Sequence, residues 1–313
     1  MPAEQPLDAA WPETGVGLKE PACGLSTWLV TPGTARHRFT ASMNFGADVA
    51  LLDLEDSVPL TGKNTARTAV LNFLAEGRGA FPGRPTTLGV RMNAPGTKHG
   101  LRDLLGLVEP GRCPAVLVVP KVEAARDVEL VAQITGATTE HCQIWALIET
   151  PRAVQRLPSI LSSPGLAGVL FGAADYAAAA GCRLTGRALS YPRAALTAGA
   201  AAAGLPAIDS PFFDLHDLDG LRKEAEDAVE LGFFGKVAVH PRQLPVIRSV
   251  FQPSVDELEA AHAIVRAAEA AGGAITTVNG RMVGPPLVAV ARALTTRTGA
   301  APVPMPSEED HYE

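Results

Sequence analysis

The chain has 313 residues, of which 27 are Lys or Arg and 33 are Asp or Glu, so its formal charge at pH 7 is −6. An acidic balance without a basic run argues against a nucleic-acid partner, and a 47% share of hydrophobic residues excludes a wholly disordered chain. The longest apolar runs, such as 116–119 and 177–180, are far shorter than the ~20 residues of a membrane-spanning helix.

Residues 1–24 are a predicted N-terminal extension. They begin MPAEQPLDAAWPETG, with acids and prolines where a signal peptide has a basic start and an apolar core, which indicates a cytoplasmic protein. The four cysteines (Cys23, Cys113, Cys142 and Cys182) are widely spaced and form no CxxC motif. Neither a disulfide framework nor a structural zinc site is therefore expected.

Short β-branched runs alternate with longer helical segments through residues 25–250. Apolar runs bounded by turn residues are typical of parallel strands buried on both faces. The predicted helices between them include 124–134, 192–203 and 217–231. Alternating β/α units predict a (β/α)8 barrel, because eight such runs occur: 27–31, 49–54, 88–92, 115–119, 143–148, 167–171, 206–209 and 236–239.

Polar residues follow nearly every predicted strand. In a (β/α)8 barrel the carboxyl ends of the strands meet at one mouth, where catalysis takes place. So many charged strand ends are unusual without a ligand. The side chains expected at this mouth are Asp53, Glu55, Asp56, Arg91, Asn93, Lys121, Glu123, Glu149, Asp175, Asp209 and His240.

Residues 251–298 form a predicted helical extension after the barrel. Ser254 and Glu257 have the spacing of a capping box at the start of a helix over 253–273. A second helix is predicted over 286–295. We expect this extension to pack on a neighbouring subunit or to form a lid over the mouth. The Pro- and acid-rich tail at 299–313 is predicted to be disordered.

Two carboxylates close consecutive strands, Glu149 in IWALIETP and Asp175 in GVLFGAADY. Such a pair, with further positions open to water, is suited to Mg²⁺ rather than zinc. The alternative is that both carboxylates form ion pairs with Arg91 and Lys121. The planar fork of Arg91 would grip a carboxylate or an enolate oxygen, so a metal and an arginine together would stabilise enolate-like charge during carbon–carbon cleavage or formation.

The order of several motifs resembles the citrate lyase β-subunit-like (CitE-like) family of the HpcH/HpaI aldolase superfamily, which includes malyl-CoA lyases. The similarity extends from about residue 25 to 270. It implies a Mg²⁺-dependent (β/α)8 barrel that acts as a homotrimer or hexamer on hydroxyacyl-CoA thioesters. The motifs are TPGTARHRF, ADVALLDLEDSVPLTGKNTAR, GVRMNAPGT, GLRDL, LVVPKVE, ALIETP, LFGAADYA, GFFGKVAVHPRQL and FQPSVDELEAA.

The resemblance implies a role for each residue of the predicted mouth. Glu149 and Asp175 would be the metal ligands, and Arg91 would bind the carboxylate of a 2-oxo acid such as glyoxylate, oxaloacetate or pyruvate. Glu55 and Asp56 would order the metal's waters and orient Arg91. Lys121 and Glu123 would support that network. The substrate carboxylate would be held by the backbone amides of Gly172, Ala173 and Ala174.

The sequence departs from the family pattern at two places. Ser26 and Thr27 replace an arginine–serine pair, which we expect to remove one cation near the mouth. Gly284, in RMVGPP, replaces the lid aspartate that the malyl-CoA-lyase-like members supply as acid or base from a neighbouring subunit. Asp209 and His240 are the candidate substitutes for that aspartate.

Three functions stay open on the sequence. The first is a Mg²⁺-dependent lyase that cleaves or forms a hydroxyacyl-CoA or a related hydroxy acid, giving a 2-oxo acid and an acyl-CoA. The second is an aldolase without CoA that uses a metal-bound, pyruvate-like enolate, and the glycine at position 284 favours it. The third is a catalytically reduced homologue that binds a ligand or partner, and the intact Glu149, Asp175 and Arg91 argue against it.

Overall fold

The computed structural model describes residues 25–76, 86–136 and 142–296. The predicted N-terminal extension (1–24), the predicted tail (299–313) and Cys23 lie outside the described residues. Within the described ranges, no helix is long and apolar enough to cross a membrane.

Eight parallel strands close into a barrel in chain order, and the first strand pairs with the last. The predicted (β/α)8 barrel is confirmed, and the predicted strands agree with the observed ones to within one residue at either end. The strands are β1 (Thr27–Pro32), β2 (Val49–Asp53), β3 (Thr87–Arg91), β4 (Val116–Val119), β5 (Gln143–Ile148), β6 (Leu166–Phe171), β7 (Ala207–Asp209) and β8 (Gly235–Ala238).

Alternation along the strands divides the core into two layers. One set of alternate residues fills the barrel interior, around an edge-to-face pair of Trp28 and Trp145 whose ring centroids are 4.8 Å apart. The other set faces the helices. Gly168 makes room for the interior tryptophan, because a Cβ there would lie 2.3 Å from the Trp145 ring. The interior is thus packed with side chains rather than open.

Helices cover the outside of the barrel. The predicted helices over 124–134 and 217–231 are confirmed to within one residue. The prediction over 192–203 took Pro192 as a helix start, whereas the helix begins at Gly186 and holds Pro192 buried in its interior. The helices are α1 (Phe39–Asn44), α2 (Lys63–Ala75), α3 (Lys98–Leu107), α4 (Ala125–Thr135), α5 (Pro151–Gln155), α6 (Leu157–Leu161), α7 (Ala173–Ala180), α8 (Gly186–Ala202), α9 (Leu218–Glu230) and α10 (Leu244–Phe251).

The C-terminal extension consists of two helices, α11 (Val255–Ala270) and α12 (Pro285–Thr296), which pack on each other. The predicted capping box is present, since Ser254 Oγ accepts from the Glu257 N–H and Glu257 accepts from the Ser254 N–H. Between the helices lies a hairpin that was not predicted, β9 (Thr276–Val278) and β10 (Arg281–Val283). Its turn is formed by Asn279 and Gly280, both with positive φ, as a tight hairpin turn requires.

Ser26 and Thr27 are not near the mouth, and the expectation that their identity removes a cation there is wrong. They begin β1, at the end of the barrel opposite the carboxyl ends of the strands. Both hydroxyls donate to Asp48 Oδ2, at 3.1 and 2.8 Å. They therefore fix the segment that leads into β2.

Candidate active site

Strand register brings three charged side chains to the barrel mouth. Asp53 and Arg91 end β2 and β3 and lie directly opposite each other. Both continue the interior-facing alternation of their strands, as does Glu149, which follows β5. Side chains at these positions point to the axis of the barrel above the packed interior.

Arg91 is held chiefly by Asp53. Its Nε and Nη2 donate to the two Asp53 carboxylate oxygens at 2.7 and 2.8 Å, a bidentate ion pair around a carboxylate with no solvent exposure. Burial alone would raise the pKa of Asp53, but the Arg91 guanidinium outweighs it and lowers that pKa. From the sequence, Asp53 is predicted only as a charged strand end, whereas this pair makes it the principal support of Arg91.

Glu55 and Asp56 lie on the loop after β2, beside Arg91. Arg91 Nη1 is 3.1 Å from Glu55 Oε2, without the geometry of a hydrogen bond, and 3.7 Å from Asp56 Oδ2. Burial raises the pKa of Glu55 to about 8, against the attraction of Arg91. The buried ammonium of Lys63 donates to the Leu54 and Glu55 carbonyls at 2.8 and 2.7 Å, so a residue of α2 fixes this loop.

Lys121 lies between the two predicted metal ligands. Its Nζ is 2.5 Å from Asp175 Oδ1 and 3.5 Å from Glu149 Oε2, and its backbone N–H donates to Glu149 Oε1 at 2.6 Å. Lys121 has φ of 55°, a left-handed conformation that non-glycine residues rarely adopt. The structure thus joins Glu149 and Asp175 through one cation. The alternative of ion pairing with Arg91 and Lys121 holds for Lys121, whereas Arg91 pairs with Asp53, Glu55 and Asp56.

Glu149 is a buried carboxylate with spare coordinating capacity. It is 1% exposed, and burial raises its pKa to about 7 against the opposing effects of Lys121. Its Oε2 has no hydrogen-bond partner among the described residues. Gly172 leaves the space beside that oxygen, since a Cβ at this position would lie 2.8 Å from Glu149 Oε2 and 2.5 Å from Glu149 Cβ.

These donors fit a hard divalent cation. Glu149 and Asp175 offer carboxylate oxygens only, which is the chemistry that Mg²⁺ prefers, and one oxygen of Glu149 lacks a hydrogen bond from any residue that the structure describes. No group of three or more His, Cys, Asp or Glu side chains suited to a metal ion occurs in 25–76, 86–136 or 142–296. The pair therefore suits an ion that keeps several waters rather than one enclosed by protein ligands.

The loop after β3 is fixed by a second buried network. Asp103 of α3 accepts from the backbone N–H and the side-chain amide of Asn93, at 2.8 and 2.7 Å, and from Arg67 Nε at 2.5 Å. Asn93 was expected at the mouth, but its side-chain amide donates to Asp103 and helps to fix the loop after β3. Asp103 lies in the GLRDL motif, and its structural role was not predicted.

Two other expectations about individual residues were wrong. Glu123 does not join the Lys121 network, because it accepts from Thr150 Oγ1 at 3.0 Å and from Arg152 Nη1 at 3.1 Å. The Gly172 N–H already donates to the Ile148 carbonyl at 3.0 Å. The amides at the start of α7 that remain for a substrate are therefore those of Ala173 and Ala174.

Asp209 does not reach the mouth. Ile208 fills the barrel interior, so Asp209 faces outward, where it accepts from Arg193 Nη2 at 3.0 Å and Lys236 Nζ at 2.6 Å. His240 Nδ1 accepts from the Arg242 N–H and caps the short 3₁₀ helix Pro241–Gln243. Neither geometry supports the role of substitute acid or base that the sequence left open for these residues.

Comparisons with known proteins point to one family. The family model described as HpcH/HpaI aldolase/citrate lyase matches residues 27–241. A citrate lyase subunit beta-like protein of Mycobacterium tuberculosis is 32% identical, over 88% of this chain and 96% of that protein. A (3S)-malyl-CoA thioesterase of Cereibacter sphaeroides is 32% identical, over 82% of this chain and 88% of that protein. The crystal structure of CitE from M. tuberculosis with magnesium, acetoacetate and coenzyme A is 30% identical, with a TM-score of 0.75 over 90% of this chain and 100% of that chain.

Proposed function

Because the chain belongs to the HpcH/HpaI aldolase/citrate lyase family, we propose that it is a Mg²⁺-dependent carbon–carbon lyase. Its substrate is a hydroxyacyl-CoA, which gives a 2-oxo acid and an acyl-CoA, or a related hydroxy acid, which gives a 2-oxo acid and a carboxylic acid. In this direction the substrate hydroxyl loses its proton, the carbon–carbon bond breaks, and the departing acyl group carries the electron pair as a thioester enolate. The CitE structure with magnesium and coenzyme A supports this assignment.

The observation that carries the proposal is the pairing of Glu149 and Asp175 at the mouth. Both carboxylates face one cationic group, and Glu149 Oε2 has no hydrogen bond within the described part of the chain. These two residues would hold Mg²⁺, which when bound polarises the carboxylate and keto oxygens of a 2-oxo acid. Gly172 keeps the space beside Glu149 open.

Arg91 is the catalytic residue of this scheme. Asp53 fixes Nε and Nη2, so the guanidinium is held in one orientation before substrate arrives. Its remaining donors would bind the 2-oxo acid carboxylate and the developing enolate charge, where a preorganised cation is most effective. Glu55 and Asp56 act through Arg91 and through the waters around the metal, and we treat them as positioning residues.

Substrate contacts would come from two further places. Ala173 and Ala174 begin α7, where backbone N–H groups and the helix dipole favour an anion. The Lys121 ammonium is partly exposed at the mouth and would contact an anionic part of the substrate. The protein would work in the cytoplasm as a homotrimer or hexamer, which fractionation and light scattering would test.

The acid or base is the open part of the mechanism. Gly284 offers no proton-transfer group, and Asp209 and His240 are engaged elsewhere. An aldolase that adds a pyruvate-like enolate to an aldehyde, without CoA, is therefore the second candidate. Its supporting observation is the glycine at position 284.

An assay of malyl-, β-methylmalyl- and citramalyl-CoA tests the proposal. The released 2-oxo acid is trapped as its phenylhydrazone, with EDTA and the variant Glu149→Gln as tests of metal dependence. Glu76→Gln is the matched control, because Glu76 is an exposed carboxylate paired with Arg36 away from the mouth. We expect release that EDTA and Glu149→Gln abolish and that Glu76→Gln leaves unchanged. If none of the three esters is cleaved and the protein instead catalyses a Mg²⁺-dependent aldol addition of pyruvate, the second candidate would replace the CoA lyase.

A further inference from the structure

Lys121 contacts the predicted metal ligands with both ends of one residue. The backbone N–H binds Glu149 Oε1, whereas the ammonium reaches Glu149 Oε2 and Asp175 Oδ1. The left-handed backbone at Lys121, with φ of 55°, accompanies this double contact. A rarely populated conformation that persists at a functional centre is a sign that the residue is used there.

The two cations of the mouth differ in how firmly they are held. Arg91 is fixed by two hydrogen bonds to a fully buried carboxylate. The Lys121 side chain is 34% exposed and its partner Asp175 is 39% exposed. The Lys121 ammonium lies at the end of a flexible four-carbon side chain, and its ion pair is half-exposed. It can therefore exchange one partner for another with little change in free energy.

We propose that the Lys121 ammonium is a built-in competitor for the divalent cation. In the metal-free protein it forms ion pairs with Glu149 and Asp175, and it leaves them when Mg²⁺ binds. The inference rests on the proposed function, because it assumes that these carboxylates are the metal site. No other Lys, Arg or His of the described ranges lies within ion-pair distance of either carboxylate, so the competition falls on one residue.

The two contacts of Lys121 have different roles: its backbone N–H supports Glu149, and its ammonium competes with the metal. The backbone N–H is a neutral donor and can keep Glu149 Oε1 in place whether or not a metal is bound. The ammonium uses the oxygens that a metal would need, and two cations at one pair of carboxylates repel each other. The released ammonium is then available to an anionic group of the substrate.

This exchange would couple metal binding to substrate binding. An anion that takes the ammonium removes the competitor of Mg²⁺, so substrate and metal each raise the affinity for the other by the same factor. The site would bind the metal more weakly alone than in the presence of a 2-oxo acid.

Isothermal titration of the metal-free full chain with MgCl₂ tests the proposal. Lys121→Met removes the ammonium and keeps an unbranched side chain and the backbone N–H. Lys223→Met is the matched control, because it makes the same charge change at an exposed position of α9. We expect about fivefold tighter Mg²⁺ binding for Lys121→Met, the scale of a half-exposed ion pair, and no change for Lys223→Met.

Equal or weaker binding by a folded Lys121→Met protein would overturn the inference and leave the proposed metal site standing. Absence of Mg²⁺ binding in the wild type would overturn both. A second measurement needs no variant: the rate of reductive methylation at each lysine is followed by peptide mass spectrometry with and without Mg²⁺. We expect Mg²⁺ to accelerate labelling of Lys121 several-fold and to leave Lys223 unchanged. Unchanged or slower labelling of Lys121 would contradict its release.

Discussion

Gly172→Ala tests whether the space beside Glu149 is a requirement of the site. The added methyl would lie 2.5 Å from Glu149 Cβ and 2.8 Å from Glu149 Oε2, both too close for unbonded atoms. The backbone itself accepts alanine, since Gly172 has φ of −102°. The perturbation is therefore purely steric, and it falls on a 1% exposed side chain with little room to move.

The expected effect has two parts. Overpacking of a buried position destabilises a protein by about 1–3 kcal/mol. Mg²⁺ at 100 times its dissociation constant stabilises a folded protein by about 2.7 kcal/mol, and a displaced Glu149 would forfeit much of this. Urea unfolding of wild type and Gly172→Ala, each with Mg²⁺ and with EDTA, measures both parts. The difference in unfolding free energy should be larger in Mg²⁺ than in EDTA.

Gly186→Ala is the control for the same chemical change. A Cβ at Gly186 meets no atom within 4 Å, so this variant should be as stable as wild type or slightly more stable. If Gly172→Ala matches Gly186→Ala in stability and gains as much from Mg²⁺ as wild type does, the space at Gly172 is not needed for the carboxylate or its metal.

Three further substitutions have defined outcomes. Asp53→Asn should lower the unfolding free energy by about 3 kcal/mol at pH 7, because it removes the principal counter-charge of Arg91, whose side chain is largely buried. Since the folded-state pKa of Asp53 is lowered, this loss should be complete above pH 3.8 and shrink as the pH falls further, as urea titrations would detect. Ser254→Ala should weaken the start of α11 by about 1 kcal/mol, visible as faster amide exchange in that helix alone. Gly284→Asp should leave the melting temperature unchanged, because a Cβ there has its nearest neighbour at 3.8 Å. The CoA-ester assay should show faster turnover by this variant. A drop in melting temperature would contradict the presence of open space beside Gly284.

The barrel was predictable because its signals are local. Each strand is a short apolar run between turn residues, and the order of strands follows the chain. The hairpin of β9 and β10 has an equally local signal, the Asn279–Gly280 pair, but the strands on either side are only three residues long and lie between two more strongly patterned helices. The early start of α8 was obscured because Pro192 is typical of a helix start and lies here inside the helix.

The site was predictable as a set of residues but not as a set of contacts. Asp53 and Arg91 are 38 positions apart in the chain and meet only through the register of β2 with β3. Asp209 is predicted at the mouth because it ends the seventh strand. The observed β7 has only three residues, too few for alternation along the strand to show which side the last residue faces. Glu123 follows Lys121 closely, yet its side chain turns to Thr150 and the start of α5.

The outward-facing cluster around Asp209 limits how this barrel can change over evolutionary time. Asp209 and Lys236 are fully buried, Arg193 is nearly so, and Glu224 completes a set of two acids and two bases. Loss of any buried member leaves an opposite charge buried without a partner, which lowers the free energy of unfolding by about 3–5 kcal/mol. Exchange of the whole set for apolar side chains is often neutral for stability. Relatives should therefore retain the three buried charges together or replace them together, and single intermediates should be rare.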